Sequence, residues 1–310
     1  MELSAVVVSY NSASFLPGCL NSLLRQQVPC REIIVVDNHS QDGSSRLLDG
    51  FPTVIPIRLT KNNGYARAAN LGLRQASAGL ILVANPDTIF PADFSRQVLD
   101  TFRRDPSIGL LAPLLLRFDR ATIDSAGQTR SLALHPREIG FNQRRDRMDL
   151  RPGTVFSACG AATVFSRPAL EKLKIGRGEF YDEDFFMFWE DFDIGWRAQL
   201  LGVKTFFTPQ VTACHFRSAT LKRTWLARFS LALARSPELK YHLVKNRYLT
   251  LIKNFRLGQF WWAIPFMLAR DLVWVGALTI SSPKIIIRLM GASALIRRAL
   301  GKRKRLKQHE

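Results

Sequence analysis

The sequence contains few cysteines and no recognisable pattern of a secretory leader. Its four cysteines lie far apart along 310 residues and form no Cys-x-x-Cys pair, which argues against a zinc ribbon and a thioredoxin-type redox pair. Free thiols are typical of a reducing cytosol. The N-terminus has no basic segment followed by an apolar one, so a secretory leader is not expected. These absences predict a cytoplasmic protein.

Two glycine-rich phosphate-binding motifs are also absent. The chain contains neither G-x-G-x-x-G nor G-x-x-x-x-G-K-[ST]. Glycines in these loops allow the backbone to approach a phosphate closely, so proteins that bind phosphate in this way need them. The sequence therefore gives little support to a dinucleotide-binding enzyme or a P-loop NTPase.

Acidic residues are scarce in the last third of the chain. Residues 216–310 contain 20 Lys and Arg against three Asp and Glu, a net charge of +17, whereas residues 1–215 carry +2. The length suggests about two units, and 47% hydrophobic residues are enough for a full core. We therefore divide the chain into a nearly neutral domain, 1–215, and a basic region, 216–310. Such asymmetry indicates a polyanionic partner, either nucleic acid or an anionic membrane surface.

Apolar runs between the basic residues favour the membrane. Clustered Trp and aliphatic residues flanked by Lys and Arg are typical of an interfacial segment, so no nucleic-acid partner is expected. The uncharged stretches 257–269 and 272–283 are shorter than the roughly 20 residues that cross a bilayer, and Arg270 and Asp271 separate them. Two prolines should break the helices further. We expect two or three amphipathic helices lying on the inner face of the cell membrane.

The basic residues of this region allow two interpretations. In the first, they supply the charge that faces anionic lipid, namely Arg288, Arg297, Arg298 and those of the cluster 302–307. In the second, the region is a helical subdomain that packs on the first unit and ends in a solvated tail.

The first 110 residues alternate short apolar runs with helical patterns. Strands are predicted at 5–10, 32–37, 55–59 and 80–84, and helices at 14–26, with Ser14 as a possible N-cap, and at 65–75. This alternation predicts an open α/β sheet, in which ligands bind beyond the carboxyl ends of the strands. Polar residues follow these strand ends: Asn11, Asp37, Asn38, Asn85 and Asp87.

Four motifs occur in a fixed order along this sheet. They are Val-Val-Ser-Tyr-Asn at 7–11, Val-Val-Asp-Asn-His-Ser-x-Asp-Gly at 35–43, Asn-x-Gly-Tyr-Ala-x-Ala-x-Asn at 62–70 and Asn-Pro-Asp at 85–87. Together they resemble the family 2 glycosyltransferases, and within that family a rhamnosyltransferase-like branch of bacterial cell-surface polysaccharide enzymes. The resemblance covers about residues 3–255. It implies a GT-A fold, a Rossmann-like open sheet with helices on both faces, followed here by a helical, basic, amphipathic C-terminal region.

The resemblance implies a nucleotide-sugar donor, dTDP- or UDP-linked, at the strand ends. A carboxylate placed there can accept a hydrogen bond from a pyrimidine N3–H or a ribose hydroxyl, which suits Asp37 and Asp42. The alternative is that Asp42 and Gly43 form a turn and Asp37 caps the loop. The other positions carried over to the donor side are Tyr10, Asn11, Asn38, Asn63, Gly64, Arg67, Asn70 and Asn85.

A divalent cation, Mn²⁺ or Mg²⁺, is implied at the donor diphosphate. Asp87 is the expected ligand, and Asn85 stands where the family has its first acidic residue, so the metal should bind weakly without donor. Asn-Pro-Asp is alternatively only a turn. His215, in a late His-x-x-Ser element, is a second metal candidate, although a lone histidine is as often a structural hydrogen-bonding residue.

The segment 181–197 is the richest in chemistry, with six carboxylates among seven aromatic residues. Its pair Glu190 and Asp191 matches the acidic pair of the family, and the precedent places the general base on Asp191. Aromatic neighbours favour a raised pKa, which suits a base. Acidic residues also favour a helix N-terminus, and a helix is predicted to start here. By resemblance, the acceptor side would comprise Gly160, Trp189 and Glu190.

These residues imply an inverting glycosyltransferase. No Gln-x-x-Arg-Trp motif, which marks processive synthases, occurs, so one sugar is expected per reaction. The first guess is rhamnose from dTDP-rhamnose, moved to a membrane-lipid-linked saccharide in cell-surface polysaccharide biosynthesis. The alternative is a non-catalytic membrane- or nucleic-acid-binding protein on a degenerate transferase scaffold. Asn85 favours the alternative, and the retained carboxylates of Asp37, Asp87 and Asp191 argue against it.

Overall fold

The structure, a computed structural model, describes residues 1–217 and 235–308. Its strands are β1 (Leu3–Ser9), β2 (Glu32–Asp37), β3 (Val54–Arg58), β4 (Leu80–Ala84), β5 (Thr88–Ile89), β6 (Ile108–Leu116), β7 (Ile123–Ser125), β8 (Gln128–Arg130), β9 (Pro136–Glu138), β10 (Gly153–Thr154), β11 (Ala162–Ser166) and β12 (Lys204–His215). Its helices are α1 (Leu16–Leu24), α2 (Ser44–Leu47), α3 (Tyr65–Gln75), α4 (Phe94–Arg104), α5 (Arg167–Lys172), α6 (Glu190–Leu200), α7 (Pro237–Asn254), α8 (Leu257–Phe260), α9 (Ile264–Ser281), α10 (Pro283–Met290) and α11 (Ser293–Lys307). Short 3₁₀ turns lie at Leu48–Gly50, Arg145–Arg147, Glu183–Phe185 and Trp261–Ala263.

One mixed sheet forms the centre of the fold. Its strand order is β10-β12-β6-β11-β4-β1-β2-β3, with β5 beside β12 and β7 beside β6. Strands β1 to β4 are parallel, and β11 runs antiparallel to both β4 and β6. Apolar side chains of α1 and α4 pack on one face of the sheet and those of α3 and α5 on the other. The predicted open α/β sheet with helices on both faces is confirmed.

The element boundaries agree closely with the sequence patterns. Three predicted elements, 32–37, 65–75 and 80–84, have the predicted bounds, because each apolar run is bordered by polar or turn residues. The predicted cap of the first helix is wrong. Phe15 occupies the N-cap position of α1, and no side chain caps this end of the helix. The carbonyl of Ser12 instead accepts from the backbone N–H groups of Phe15 and Leu16.

The C-terminal region differs most from expectation. The predicted two short apolar segments form one helical stretch, Leu257–Ser281, interrupted only by a 3₁₀ turn. Pro265 does not break it, because it lies in the first turn of α9, where a backbone N–H has no helical partner. Within the described residues this 25-residue stretch is long and apolar enough to cross a membrane, judged by length and composition alone. In the 18-residue apolar part of the stretch, 11% is buried inside the protein. Asp271 pairs with Arg247 at 2.9 Å.

Helices α7 and α11 pack against the first unit, as the second interpretation of this region expected. Five of the basic residues that were expected to face lipid have partners within the chain, although only Lys302 among them is buried. Arg288 pairs with Glu238, and Arg298 with Asp184. Lys302 is buried beside three carboxylates. Arg303 and Arg305 donate to backbone carbonyls.

Candidate active site

One edge of the sheet collects most of the predicted site residues. The parallel strands β1, β2 and β4 all end there, which brings Asn11, Asp37 and Asn85 to the same side. Strand β11 is antiparallel to β4 and begins at this edge, and the backbone N–H of Asn85 donates to the carbonyl of Ala161 at 3.0 Å. The loop before β11 therefore places Gly160 beside the donor-side residues.

Asp37 presents an unsatisfied carboxylate oxygen at this edge. Its side chain is only 2% exposed, and Oδ2 accepts from the backbone N–H of Ser40 at 3.3 Å. Oδ1 is buried and has no hydrogen-bond partner among the described residues. A buried carboxylate oxygen without a partner is costly, so this geometry suits a ligand that brings its own donor, such as a base N–H or a ribose hydroxyl.

Asp42 has a local role. It accepts from the backbone N–H groups of Ala13 and Ser44, at 2.8 and 3.0 Å, and from the hydroxyl of Ser44. Burial would raise the pKa of this carboxyl, but these hydrogen bonds outweigh it and lower the pKa. Asn11 joins the same loop by accepting from the backbone N–H of Gln41 at 2.8 Å. The turn alternative thus describes Asp42 well, and Tyr10 beside it is 47% exposed.

Asn38 shapes the segment that precedes α3. Its amide donates to Oδ1 of Asn62 at 2.9 Å and accepts from the backbone N–H of Asn63 at 2.9 Å. Gly64 follows with a φ of 83°, and a Cβ there would lie 2.5 Å from the carbonyl oxygen of Phe186. Only glycine combines this conformation with so close an approach. The motif 62–64 therefore joins the donor-side loop to the segment that carries the acidic pair.

Two residues predicted on the donor side contact the acidic segment, and of these Arg67 remains 57% exposed. Asn70 is fully buried, and its amide donates to the carbonyl of Tyr181 at 2.8 Å and accepts from the backbone N–H of the same residue at 2.9 Å. Arg67 points towards Glu183, with Nε 3.7 Å from Oε2. Both side chains hold the acidic segment against α3, so the prediction that Asn70 contacts the donor is not what the structure shows.

Asp87 and His215 meet at the end of β4. Nε2 of His215 lies 3.3 Å from Oδ1 of Asp87, and Nδ1 lies 2.8 Å from Oδ2 of Asp124, which is fully buried. Burial would lower the pKa of His215, but hydrogen bonds and charge from Asp124 and Asp87 outweigh it and raise the pKa to about 9. Arg217 pairs with Asp124 at 2.8 Å. Ser218, the last residue of the His-x-x-Ser element, lies outside the described residues.

Asp87 and His215 would form a partial ligand set for a divalent cation, which requires Nε2 of His215 to lose its proton when the ion binds. Ligands in neighbouring positions around an octahedral ion at about 2.1 Å lie about 3 Å apart, close to the 3.3 Å found here. In residues 1–217 and 235–308 no group of three or more His, Cys, Asp or Glu side chains could hold a metal. The remaining ligands would have to come from elsewhere, and donor phosphate oxygens suit Mg²⁺ and Mn²⁺.

Asp191 stands in the first turn of α6 and is held by several donors. Its Oδ2 accepts from the backbone N–H of Gly160 at 2.9 Å and from Nε2 of Gln128 at 2.8 Å. Its Oδ1 accepts from the backbone N–H of Phe192 at 2.8 Å. A Cβ on Gly160 would lie 3.2 Å from the Cβ of Asp191, so a small residue is needed for this approach. Two donors thus hold Oδ2 of Asp191 at the sheet edge, and one donor holds Oδ1.

Glu190 and Trp189 differ from Asp191 in their surroundings. Oε2 of Glu190 is buried and has no hydrogen-bond partner among the described residues. Burial and the charge of Asp191 raise the pKa of Glu190 to about 8, so this carboxyl holds its proton at neutral pH. Trp189 is only 5% exposed, and its ring packs at 5.0 Å from that of His135. The indole therefore lies in the core and is not exposed to an acceptor, although Trp189 was predicted on the acceptor side.

Four polar residues of the site were missed by the sequence patterns. They are Asp124, Gln128, Glu138 and Arg217, which form a chain of contacts from His215 to Asp191. Asp124, Gln128 and Glu138 lie in short strands and belong to no motif, whereas Arg217 lies within the His-x-x-Ser element at an unspecified position. A buried acidic residue among apolar neighbours, as in Ile123-Asp124-Ser125-Ala126, was the one signal available.

Known proteins resemble this chain over more than half of its length. The model of the family described as Glycosyl transferase family 2 matches residues 4–174. Poly-beta-1,6-N-acetyl-D-glucosamine synthases are 24% identical in Staphylococcus aureus (strain COL) and 23% in Staphylococcus epidermidis, over 229 residues. The match covers 73% of this chain and 52% of the synthases, so the chain spans about half the length of these curated relatives.

Solved structures show the same fold. The S. aureus TarS fragment 1–349, solved with UDP, matches with a TM-score of 0.55 and 15% identity over 100% of this chain and 92% of that one. The mannosyltransferase PcManGT from Pyrobaculum calidifontis, in complex with GDP-Man and Mn²⁺, matches with a TM-score of 0.51 and 15% identity over 97% and 85%. The GT-A type of sheet is confirmed, whereas the rhamnosyltransferase-like branch stays a prediction. The chain belongs to glycosyl transferase family 2.

Proposed function

We propose that this chain is an inverting glycosyltransferase that moves one sugar from a nucleoside-diphosphate donor to an acceptor hydroxyl. The observation that carries the proposal is the position of Asp191, whose Oδ2 is anchored by Gly160 and Gln128. This anchor lies near the sheet edge where β2 ends at Asp37 and where Asp87 follows β4. Oδ1 has a single backbone partner and so retains the capacity to accept a proton. Asp191 is the general base in this proposal.

The reaction is a single in-line displacement. The acceptor oxygen attacks the anomeric carbon from the face opposite the diphosphate, its proton passes to Asp191, and the bond from the anomeric carbon to the diphosphate oxygen breaks. The configuration at the anomeric carbon is therefore inverted. A general base of this kind contributes about 10²- to 10⁴-fold to the rate. Protonated Glu190 beside it leaves Asp191 as the member of the pair that is free to act as a base.

The donor side consists of a base or ribose contact and a diphosphate contact. The free Oδ1 of Asp37 suits the nucleoside, and Asp87 with His215 would hold a divalent cation, which stabilises the charge of the departing nucleoside diphosphate. Asn11, Asn38, Asn63 and Gly64 shape the loops between these points.

The sugar and the acceptor remain to be named. The motifs favour dTDP-rhamnose as the first donor to test, and the TarS structure with UDP supports testing UDP-linked sugars beside it. Because the chain has no Gln-x-x-Arg-Trp motif, we propose one transfer per reaction. A lipid-linked saccharide in cell-surface polysaccharide biosynthesis is the proposed acceptor, and the names of the curated synthases support the polysaccharide context.

An apolar face on α9 and α10 supports a membrane as partner. Leu272, Ile280 and Met290 are 76%, 88% and 81% exposed. Aliphatic side chains exposed to this degree are unfavourable in water and favourable in a lipid interface. Lys284, Arg297, Lys304 and Lys307 are exposed on the same helices or on α11 and would face anionic headgroups. We propose a position on the inner face of the cell membrane. A non-catalytic membrane-binding protein is the alternative.

The test is the release of nucleoside diphosphate from a panel of donors. The panel comprises dTDP-rhamnose, UDP-glucose, UDP-galactose, UDP-N-acetylglucosamine and GDP-mannose, each with detergent-extracted lipid acceptors and with Mn²⁺ or EDTA. We expect release from one donor that depends on acceptor, is inhibited by EDTA and is lost in Asp191→Asn. Asp149→Asn, an exposed carboxylate change, is the control. Turnover of no donor, with no nucleotide binding, would support the non-catalytic alternative.

A further inference from the structure

A chain of buried polar side chains connects the metal side of the site to the acidic pair. It runs from His215 through Asp124, Arg217, Glu138 and Gln128 to Asp191, with distances of 2.8 to 3.3 Å between successive partners. Every member except Gln128 carries a titratable or charged group. Gln128 therefore has a distinct role in this chain, because it is the direct partner of Asp191.

The amide of Gln128 can adopt only one orientation. Its Nε2 lies 2.8 Å from Oδ2 of Asp191 and 3.1 Å from Oε1 of Glu138, and both of these atoms are acceptors. The nitrogen must therefore point at the two carboxyl groups, and Oε1 of Gln128 is left buried without a partner among the described residues. A flip of the amide would place an oxygen against two carboxyl oxygens. The side chain is locked.

The backbone of Gln128 is fixed to the same part of the fold. Gln128 donates from its N–H to the carbonyl of Ser157 at 2.7 Å, and the hydroxyl of Ser157 donates to the carbonyl of Asp191 at 2.7 Å. On its other side Gln128 pairs across the strands with Glu138. Gln128 is 3% exposed, so neither water nor an alternative rotamer competes for these partners.

We propose that Gln128 is a positioning residue for the general base. It holds Oδ2 of Asp191, together with the N–H of Gly160, so that Oδ1 is the oxygen presented to the acceptor hydroxyl. The inference rests on the proposed role of Asp191. It assigns the buried amide a function in the reaction that neither the motifs nor the family match assigns.

The proposal is tested with Gln128→Met, which keeps the length of the side chain and removes the donor. The matched control is Gln97→Met, since Gln97 also donates to a carboxylate, that of Asp93 on the surface around α4. Because Gln128→Met loses a hydrogen bond to the charged carboxylate of Asp191, we expect its kcat to be lower by about tenfold to a hundredfold. The KM for the donor should not change, because the described partners of Gln128 are Asp191, Glu138 and backbone groups of 156–157 rather than the donor-side residues.

A second readout does not depend on activity. Carbodiimide labels protonated carboxyl groups, so site-resolved mass spectrometry across pH gives the apparent pKa of Asp191. Loss of a donor to the charged form should move the labelling of Asp191 to higher pH in Gln128→Met than in Gln97→Met. The titratable groups that also face Asp191 are Glu190, Glu138, Tyr65, Tyr181 and Cys159, and they are the same in both proteins.

The outcomes separate the two proposals. If Asp191→Asn is inactive while Gln128→Met keeps the kcat and the Asp191 titration of Gln97→Met, the positioning role of Gln128 is overturned and the proposed function stands. If Asp191→Asn retains transfer, the base assignment fails and the role of Gln128 fails with it. A lower kcat together with a raised pKa of Asp191 supports the inference.

Discussion

Lys302, on the last helix, donates to Oδ1 of Asp182 at 2.5 Å across 120 residues of sequence. Asp182 is 1% exposed and also binds Lys253, which is itself fully buried. The basic C-terminal region therefore neutralises the acidic segment that carries Glu190 and Asp191. Part of the charge that suggested an external polyanion is complementary to the rest of the chain.

Lys302→Met should destabilise the protein. The change removes one of the two lysines that bind buried Asp182 and a partner of half-buried Glu179. Because Lys253 still pairs with Asp182, we expect a loss of about 1.5 to 3 kcal/mol, the value of a hydrogen bond to a charged group. The free energy of unfolding from urea titration measures it. Lys304→Met, on the exposed side of the same helix, should change stability by less than about 0.5 kcal/mol. Equal stability of the two variants would contradict the structural role of the ion cluster.

Glu190→Gln should alter how stability depends on pH. The pKa of Glu190 is raised to about 8 in the folded protein from an ordinary value of 4.5. Protonated Glu190 therefore contributes fully to the free energy of unfolding below pH 4.5, and this contribution is lost as the pH rises towards 8. The loss amounts to at most about 1.4 kcal/mol per pH unit. Glutamine cannot ionise, so the variant should lose this slope between pH 5 and 8 in urea unfolding.

The control for this experiment is Glu171→Gln, whose carboxylate lies on the surface beside Lys174. It should retain the slope of the wild type. A Glu190→Gln variant whose unfolding free energy falls with pH as steeply as that of Glu171→Gln would show that Glu190 ionises at its ordinary pKa.

Asp37→Asn should weaken nucleotide binding. The free Oδ1 of Asp37 would lose its charge, and a hydrogen bond to a charged group is worth about 1.5 to 3 kcal/mol, or about tenfold to a hundredfold in Kd. Calorimetric titration with UDP and dTDP measures the change. Asp49→Asn, at a side chain that is 71% exposed in the 3₁₀ turn after α2, should bind as the wild type does. Unchanged affinity in Asp37→Asn would place the nucleoside elsewhere.

Gly64→Ala should be poorly tolerated. A Cβ at this position meets the carbonyl oxygen of Phe186 at 2.5 Å, and the φ of 83° is itself unfavourable for alanine by about 1 to 2 kcal/mol. Thermal unfolding should show a clear loss of stability. Gly79→Ala is the matched control, since no atom lies within 4 Å of the point where its methyl group would sit and no positive φ is required there. Similar melting temperatures for both variants would contradict the tight contact.

The sequence by itself determined the α/β sheet and the position of its polar edge. Strand and helix patterns are local, because each apolar run meets its own core and ends at its own turn residues, so 32–37, 65–75 and 80–84 could be predicted to the residue. The motifs also indicated Asp37 and Asp87, since residues that follow parallel strands meet at one edge. Asp191 was indicated only by resemblance to the acidic pair of the family.

The tertiary structure decided which of these groups are free and which are occupied. Asp42 belongs to the same motif as Asp37, and Asn70 to the next motif. The oxygens of Asp42 and Asn70 accept hydrogen bonds within the chain, whereas Oδ1 of Asp37 has no partner among the described residues. Gln128 and Asp124 lie in short strands without a motif and reach the site only through pairing with distant segments. Electrostatic and hydrogen-bonding partners are set by distance in space, and a charge count along the chain does not show that Lys302 lies beside Asp182.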